Sequence, residues 1–174
     1  MDASFQRALS LVLADEGGWS NNPNDPGGAT MQGITQRVYD AFRRADPGTA
    51  RPASVRYIST ADVTAIYRVQ YWDAVRGDSV PAGLDYCLFD EAVNAGPVAS
   101  IKDLQTALGV KADGQFGMVT MGALLAVNDR AGLIKRICAL RLNWLHRLRT
   151  WRFFGKGWAA RVARVQAAAL KMVA

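Results

Sequence analysis

Residues 8–35 read ALSLVLADEGGWSNNPNDPGGATMQGIT, and the change of pattern at Glu16 decides the fold. Upstream of it, Phe5, Ala8, Leu9, Val12 and Leu13 recur every three or four positions, which predicts an amphipathic helix from Ser4 to about Glu16. Downstream, ten of the twelve residues Gly17 to Gly28 are Gly, Asn, Pro or Asp. Such a run supplies several tight turns and cannot continue a helix, so a small β-hairpin or irregular loop region follows the first helix.

Beyond this region the periodicity stays helical. Thr35 reads as the cap of a helix through Phe42 and Arg44, which the Pro/Gly stretch from Asp46 to Pro52 breaks. A long helix is expected over TADVTAIYRVQYWDAV from Thr60, ended by Gly77 to Gly83. LDYCLFDEAVN comes next, and another helix starts near Pro97, where proline at the first turn costs no hydrogen bond. The loop GVKADGQFG leads to MVTMGALLAV, and two further helices fall at 131–151 and 157–172, with Gly155 and Gly157 between them. The expected fold is mainly α, an α+β arrangement with one small β-hairpin or irregular loop after the first helix.

A chain of 174 residues, 50% hydrophobic and 21% charged, is sized for one core without a metal or disulfide, and is expected to form a single domain over 1–174. No apolar run approaches a membrane span, and Asp2 ahead of a broken apolar stretch makes a poor signal peptide. The net charge of +6 is uneven. Residues 131–174 hold ten Lys or Arg and no acid, whereas 1–130 hold 11 basic and 15 acidic residues. A basic block of this kind suits a polyanion such as nucleic acid, an anionic lipid surface or a cell-wall polymer. It suits a solvated helix face equally, because Leu, Trp and Val interleave with the Arg. From Arg161 to Lys171 the pattern is a cationic amphipathic helix, which either disturbs an anionic membrane or packs its Val/Leu side on the domain.

Only two glutamates occur, Glu16 and Glu91. Glu16 stands where a helix runs into a turn-rich loop, and a carboxyl partly buried there has its neutral form favoured, as a general acid requires. Asp25 follows after eight residues and Thr30 after four more, a spacing that lets the loop present all three to one cleft. In inverting glycoside hydrolysis one carboxyl protonates the leaving oxygen while a second activates water, and a hydroxyl such as that of Thr30 can hold that water. The same residues also suit local roles, Asp25 before Pro26 starting a turn and Thr30 bridging backbone groups. Other chemistries lack partners. His146 has no His or Cys at ligand spacing, Cys87 and Cys138 sit in apolar helical contexts, and no phosphate-binding glycine loop is present.

The strings D-E-G-G-W-S from Asp15 to Ser20 and N-D-P-G-G-A-T-M-Q-G-I-T from Asn24 to Thr35 resemble the hallmark of the family 108 glycoside hydrolases, muramidases of phages, prophages and bacterial secretion loci. Their E-G-G-Y motif is named for its catalytic Glu, which matches Glu16; Trp19 replaces the Tyr and keeps a stacking face. The Glu, Asp, Thr order also resembles the triad of phage lysozymes, whose gap before Thr is one residue longer. F-D-E-A-V-N-A-G-P from Phe89 to Pro97 is similar to a helix that lines the glycan cleft in both families, placing Asp90 and Asn94 on one helix face. L-G-V-K-A-D-G-Q-F-G-M-V-T from Leu108 and F-G-K-G-W from Phe154 resemble a peptidoglycan-binding segment, so 97–174 is expected to form a helical carboxyl-terminal part of that type, with Gln115 and Phe116 as further glycan contacts.

The resemblance implies a lysozyme-like endolysin that cuts the β-1,4 bond between N-acetylmuramic acid and N-acetylglucosamine in peptidoglycan. Glu16 is its proton donor, Asp25 and Thr30 place or activate water, and Trp19, Asp90 and Asn94 contact sugar. No metal, no cofactor and no nucleic acid are expected; the protein is expected to be a monomer with an anionic outer-membrane or cell-wall contact through 131–174. It is expected to accumulate in the host bacterial cytoplasm and to act in the periplasm or cell wall after holin-dependent release. Two alternatives carry different chemistry: a lytic transglycosylase, in which the muramic 6-hydroxyl attacks in place of water, and a non-catalytic cationic wall-binding or membrane-permeabilising protein.

Overall fold

The computed structural model describes residues 2–21 and 28–173, so Asp25 lies outside the described residues. These residues form two compact units, Leu9–Val69 and Met1–Ala8 with Gln70–Ala174. The first helix, α1 (Asp2–Asp15), contributes to both: Phe5 and Ala8 are buried in its first half and Leu9 and Val12 in its second.

In the unit formed by 9–69, the turn-rich loop ends in a two-stranded antiparallel hairpin, β1 (Thr30–Met31) and β2 (Ile34–Thr35), with Thr30 opposite Thr35 and Met31 opposite Ile34. Its two-residue turn places Gln32 at φ 49° and Gly33 at φ 75°, the left-handed pair whose twist matches antiparallel strands. Ser20 extends the ladder by exchanging backbone hydrogen bonds with Thr30 at 2.8 and 2.9 Å. Thr35 then caps α2 (Gln36–Ala45), its Oγ1 accepting from the Val38 N–H at 3.3 Å. The Gln36 side chain pins the following loop, donating to the Ala53 carbonyl and accepting from the Val55 N–H. Ser59 caps α3 (Thr60–Tyr67), and Arg51 joins that helix to the loop by pairing with Asp62 and Asp46.

The expected long helix from Thr60 is α-helical only to Tyr67; Arg68–Trp72 form a π-helical turn. The wider turn delivers Trp72 into the core of the second unit, where its ring packs on Phe5 and Phe89 at 5.4 and 5.5 Å between centroids. Gly77 leaves the space that the Trp72 indole occupies.

That unit is built from α4 (Leu84–Ala95), α5 (Pro97–Leu108), α6 (Met118–Leu125), α7 (Arg130–His146) and α8 (Trp151–Met172). Gly96, at φ 91°, both ends α4 and precedes Pro97 at the start of α5. The loop 109–117 is a helix connection tied by one side chain: Gln105 Nε2 donates to Asp113, to the Gln115 carbonyl and to Thr120, while its Oε1 accepts from the Gly114 N–H. Phe116 is buried there and so is not available to a glycan. The last break also moves. Residues 147–150 separate α7 from α8, and Gly155 and Gly157 lie inside α8, because Gly155 is a packing gap filled by the Trp151 indole rather than a helix end. Val162, Val165 and Ala169 are buried, so the apolar side of the carboxyl-terminal helix packs on its own unit.

Charge is buried at the centre of these helices. Both carboxylate oxygens of Asp90 on α4 are occupied, one by Arg141 of α7 at 2.7 Å and the other by Arg161 of α8 at 2.9 Å. Beside it, burial raises the Glu91 carboxyl well above the usual carboxylate range, reinforced by the neighbouring Asp103, and Glu91 Oε2 has no hydrogen-bond partner. Burial also raises Asp103.

Because the fold favours their neutral forms, Glu91 and Asp103 contribute stability that is complete below the ordinary carboxylate range and is lost as pH climbs through their raised values. Glu91→Gln keeps the neutral shape; its Tm should therefore gain on that of the parent as pH rises, read from melts across acid to alkaline buffers. Asp90→Ala leaves two guanidiniums facing an empty site and should cost about 3–5 kcal/mol in urea unfolding.

Candidate active site

Glu16 is the first residue beyond α1, its N–H donating to the Val12 carbonyl at 3.2 Å, so the last turn of the helix fixes where its side chain starts. The side chain is half-buried. It rests on the hairpin turn: a Cβ added to Gly33 would lie 2.9 Å from Glu16 Oε2 and 2.7 Å from the Tyr67 hydroxyl. Tyr67 is buried at the end of α3 and donates its hydroxyl proton to the Gln32 carbonyl at 2.8 Å. One backbone position without a side chain thus brings together the end of α1, the hairpin turn and the end of α3.

Thr30 belongs to the same hairpin, half-buried in β1 and three residues before the glycine that meets Glu16. Trp19 is 38% exposed, with the Arg56 guanidinium 5.5 Å above its ring. Arg56 lies equally over Tyr57, 66% exposed, and both belong to a single 3-10 turn, Val55–Tyr57, that packs on β1. The Trp19, Arg56 and Tyr57 row offers aromatic faces and a cation beside the hairpin. Tyr67, Arg56 and Tyr57 escaped the sequence reading, since the last two stand in an aperiodic loop and Tyr67 reads as one more core aromatic.

The structure gives Asp90 another task. Expected to face sugar with Asn94, it is 0% exposed and saturated by two guanidiniums. The one-face argument fails because α4 is buried on all sides from Leu84 to Ala92, so no side of Asp90's turn meets solvent. Asn94, one turn further on, is exposed.

A helix ending in a half-buried glutamate over a small hairpin, within a mainly helical chain, defines a lysozyme-like fold. The family model for glycosyl hydrolase 108 matches residues 9–96, and the chain belongs to that family of glycoside hydrolases. The solved structure of Brucella abortus SagA is similar at 39% identity and a TM-score of 0.85, covering 99% of this chain and 97% of that one. No curated protein matches. Membership supports hydrolysis of glycosidic bonds in peptidoglycan.

Gly33→Ala should displace Glu16 and Tyr67 and strain a left-handed backbone that alone costs about 1 kcal/mol. Melts should show at least that loss, and turnover on purified peptidoglycan should fall by more than the melts explain. Tyr67→Phe, which frees the Gln32 carbonyl, should lower turnover while leaving the fold in place.

Proposed function

We propose that this glycoside hydrolase is an N-acetylmuramidase acting as an endolysin on the β-1,4 bond between N-acetylmuramic acid and N-acetylglucosamine. The observation that carries the reading is the placement of Glu16, half-buried at the end of α1 against the Gly33 turn, inside the stretch matched by the family. There the end of α1 sets where its side chain starts and the Gly33 turn lies against its carboxyl, a placement suited to presenting a proton to the glycosidic oxygen.

Asp25 receives the second role, activating the water that attacks the anomeric carbon, and Thr30 positions that water. Leaving-group protonation and water attack on opposite sides of the sugar require the two carboxyls to stand about 6.5–9.5 Å apart in an inverting enzyme. Trp19 and Tyr57 supply stacking faces for the sugars, with Arg56 between them drawn to the lactyl or peptide carboxylates of the wall. Asn94 pairs with an N-acetyl group by donating and accepting together. Synthesis in the host cytoplasm and release through a holin complete the endolysin role, and the protein works as a monomer.

Mass spectrometry of borohydride-reduced fragments tests the chemistry. Wild-type digests of peptidoglycan should yield reducible muramic ends, and Glu16→Gln should yield none while melting as the parent does. Anhydro ends would move the reaction to transglycosylation, and fragments from Glu16→Gln would remove Glu16 as the acid. Asp25→Asn should lose about 10²–10⁴-fold in turnover, the usual worth of a positioned base, and Thr30→Val less.

A further inference from the structure

In the last two helices, α7 and α8, the large apolar side chains that remain exposed lie at the junction rather than along the tail. Phe153 and Phe154, at the start of α8, are 68% and 56% exposed, and Trp144 near the end of α7 is 37% exposed. Phe153 and Phe154 continue into a ring network. Phe153 lies 6.3 Å from Phe154, Phe154 5.7 Å from Trp158, Trp158 6.2 Å from Trp151, and Trp151 3.8 Å from His146. Exposed cations stand in the same segment: Arg149, Lys156 and Arg152, whose guanidinium sits 4.6 Å over the Phe153 ring.

We infer that this junction is a docking site for an anionic lipid bilayer, with Phe153 and Phe154 entering the interface and Arg149, Arg152 and Lys156 meeting phosphate headgroups. Rigid aromatic rings flanked by long cationic side chains match the two layers of such an interface, apolar below and anionic above. A second copy of the chain fits poorly, because a two-fold contact would set the same cations against each other. The wall polymer, whose lactyl and peptide carboxylates also attract cations, fits less well, because it offers no apolar layer to take up two adjacent exposed Phe rings. The attachment is peripheral, since among the described residues no helix is long and apolar enough to cross a membrane.

Lipid binding is tested without peptidoglycan, so it is read independently of the Glu16 chemistry. Full-length protein is sedimented with vesicles of phosphatidylcholine alone and of phosphatidylcholine with phosphatidylglycerol. Binding to the anionic vesicles only, weakened by salt, is expected. The double variant Phe153→Ser with Phe154→Ser, which leaves the charge unchanged and alters exposed positions, should melt as the parent does and bind at least about tenfold more weakly. Arg149→Gln with Arg152→Gln should weaken binding and its salt dependence together. No sedimentation with anionic vesicles overturns the proposal. So does equal binding by the double Phe variant, which would reduce the contact to charge alone. Phe-dependent binding to soluble wall polysaccharide without vesicle binding, or Phe-dependent dimers in sedimentation velocity, would assign the patch to those occupants and overturn it likewise.

Discussion

The carboxylate of Asp90 governs how the carboxyl-terminal helices assemble. A charge with no exposure is tolerable only when paired, and Arg141 and Arg161 arrive from two different helices to pair it. The consequence is geometric: α7 and α8 must each bring one guanidinium to the same turn of α4. The two ion pairs add to the apolar packing a contact in which both α7 and α8 meet one turn of α4. The surrounding aromatic core of Phe5, Trp72 and Phe89 then closes over α4 from its other elements.

A different constraint shapes the unit that carries Glu16. There the hairpin is only two residues per strand, too short to be stable by itself, and it is held by the Ser20 backbone bonds to Thr30, the Thr35 cap of α2 and the Tyr67 hydroxyl on the Gln32 carbonyl. Its turn takes left-handed backbone at Gln32 and Gly33, and the missing Cβ at Gly33 is the space into which Glu16 and Tyr67 converge. A glutamate at a helix end is ordinarily a solvated charge. This one is a defined chemical group because a glycine, a tyrosine and a helix terminus limit where its carboxyl goes.

The basic block divides between these two kinds of work. Arg141 and Arg161 are consumed inside the fold, one of them 2% exposed, and the apolar positions of the last helix face inward. Of the exposed cations in the block, Arg147, Arg149, Arg152 and Lys156 share one short segment with Phe153 and Phe154, and Lys135, Arg136, Arg164 and Lys171 are spread along α7 and α8. The net charge of +6 therefore describes the surface poorly, since its distribution follows from which cations the core recruits.

The order of elements and the place of Glu16 were legible because both depend on local chemistry. Apolar spacing specifies helix, Gly/Asn/Pro/Asp runs forbid it, and the Thr35 and Gly96 caps are local signals. The family itself was legible in the DEGGWS and NDPGGATMQGIT strings. The readings that changed all depend on what lies opposite a residue. Gly155 makes room for the Trp151 indole rather than ending a helix, Arg68–Trp72 widen to deliver Trp72 to its core, and Asp90 faces two arginines rather than solvent. A sequence states which residues can be buried or charged; only the tertiary structure, through contacts between residues far apart in the chain, decides whose charge is buried and what fills each gap.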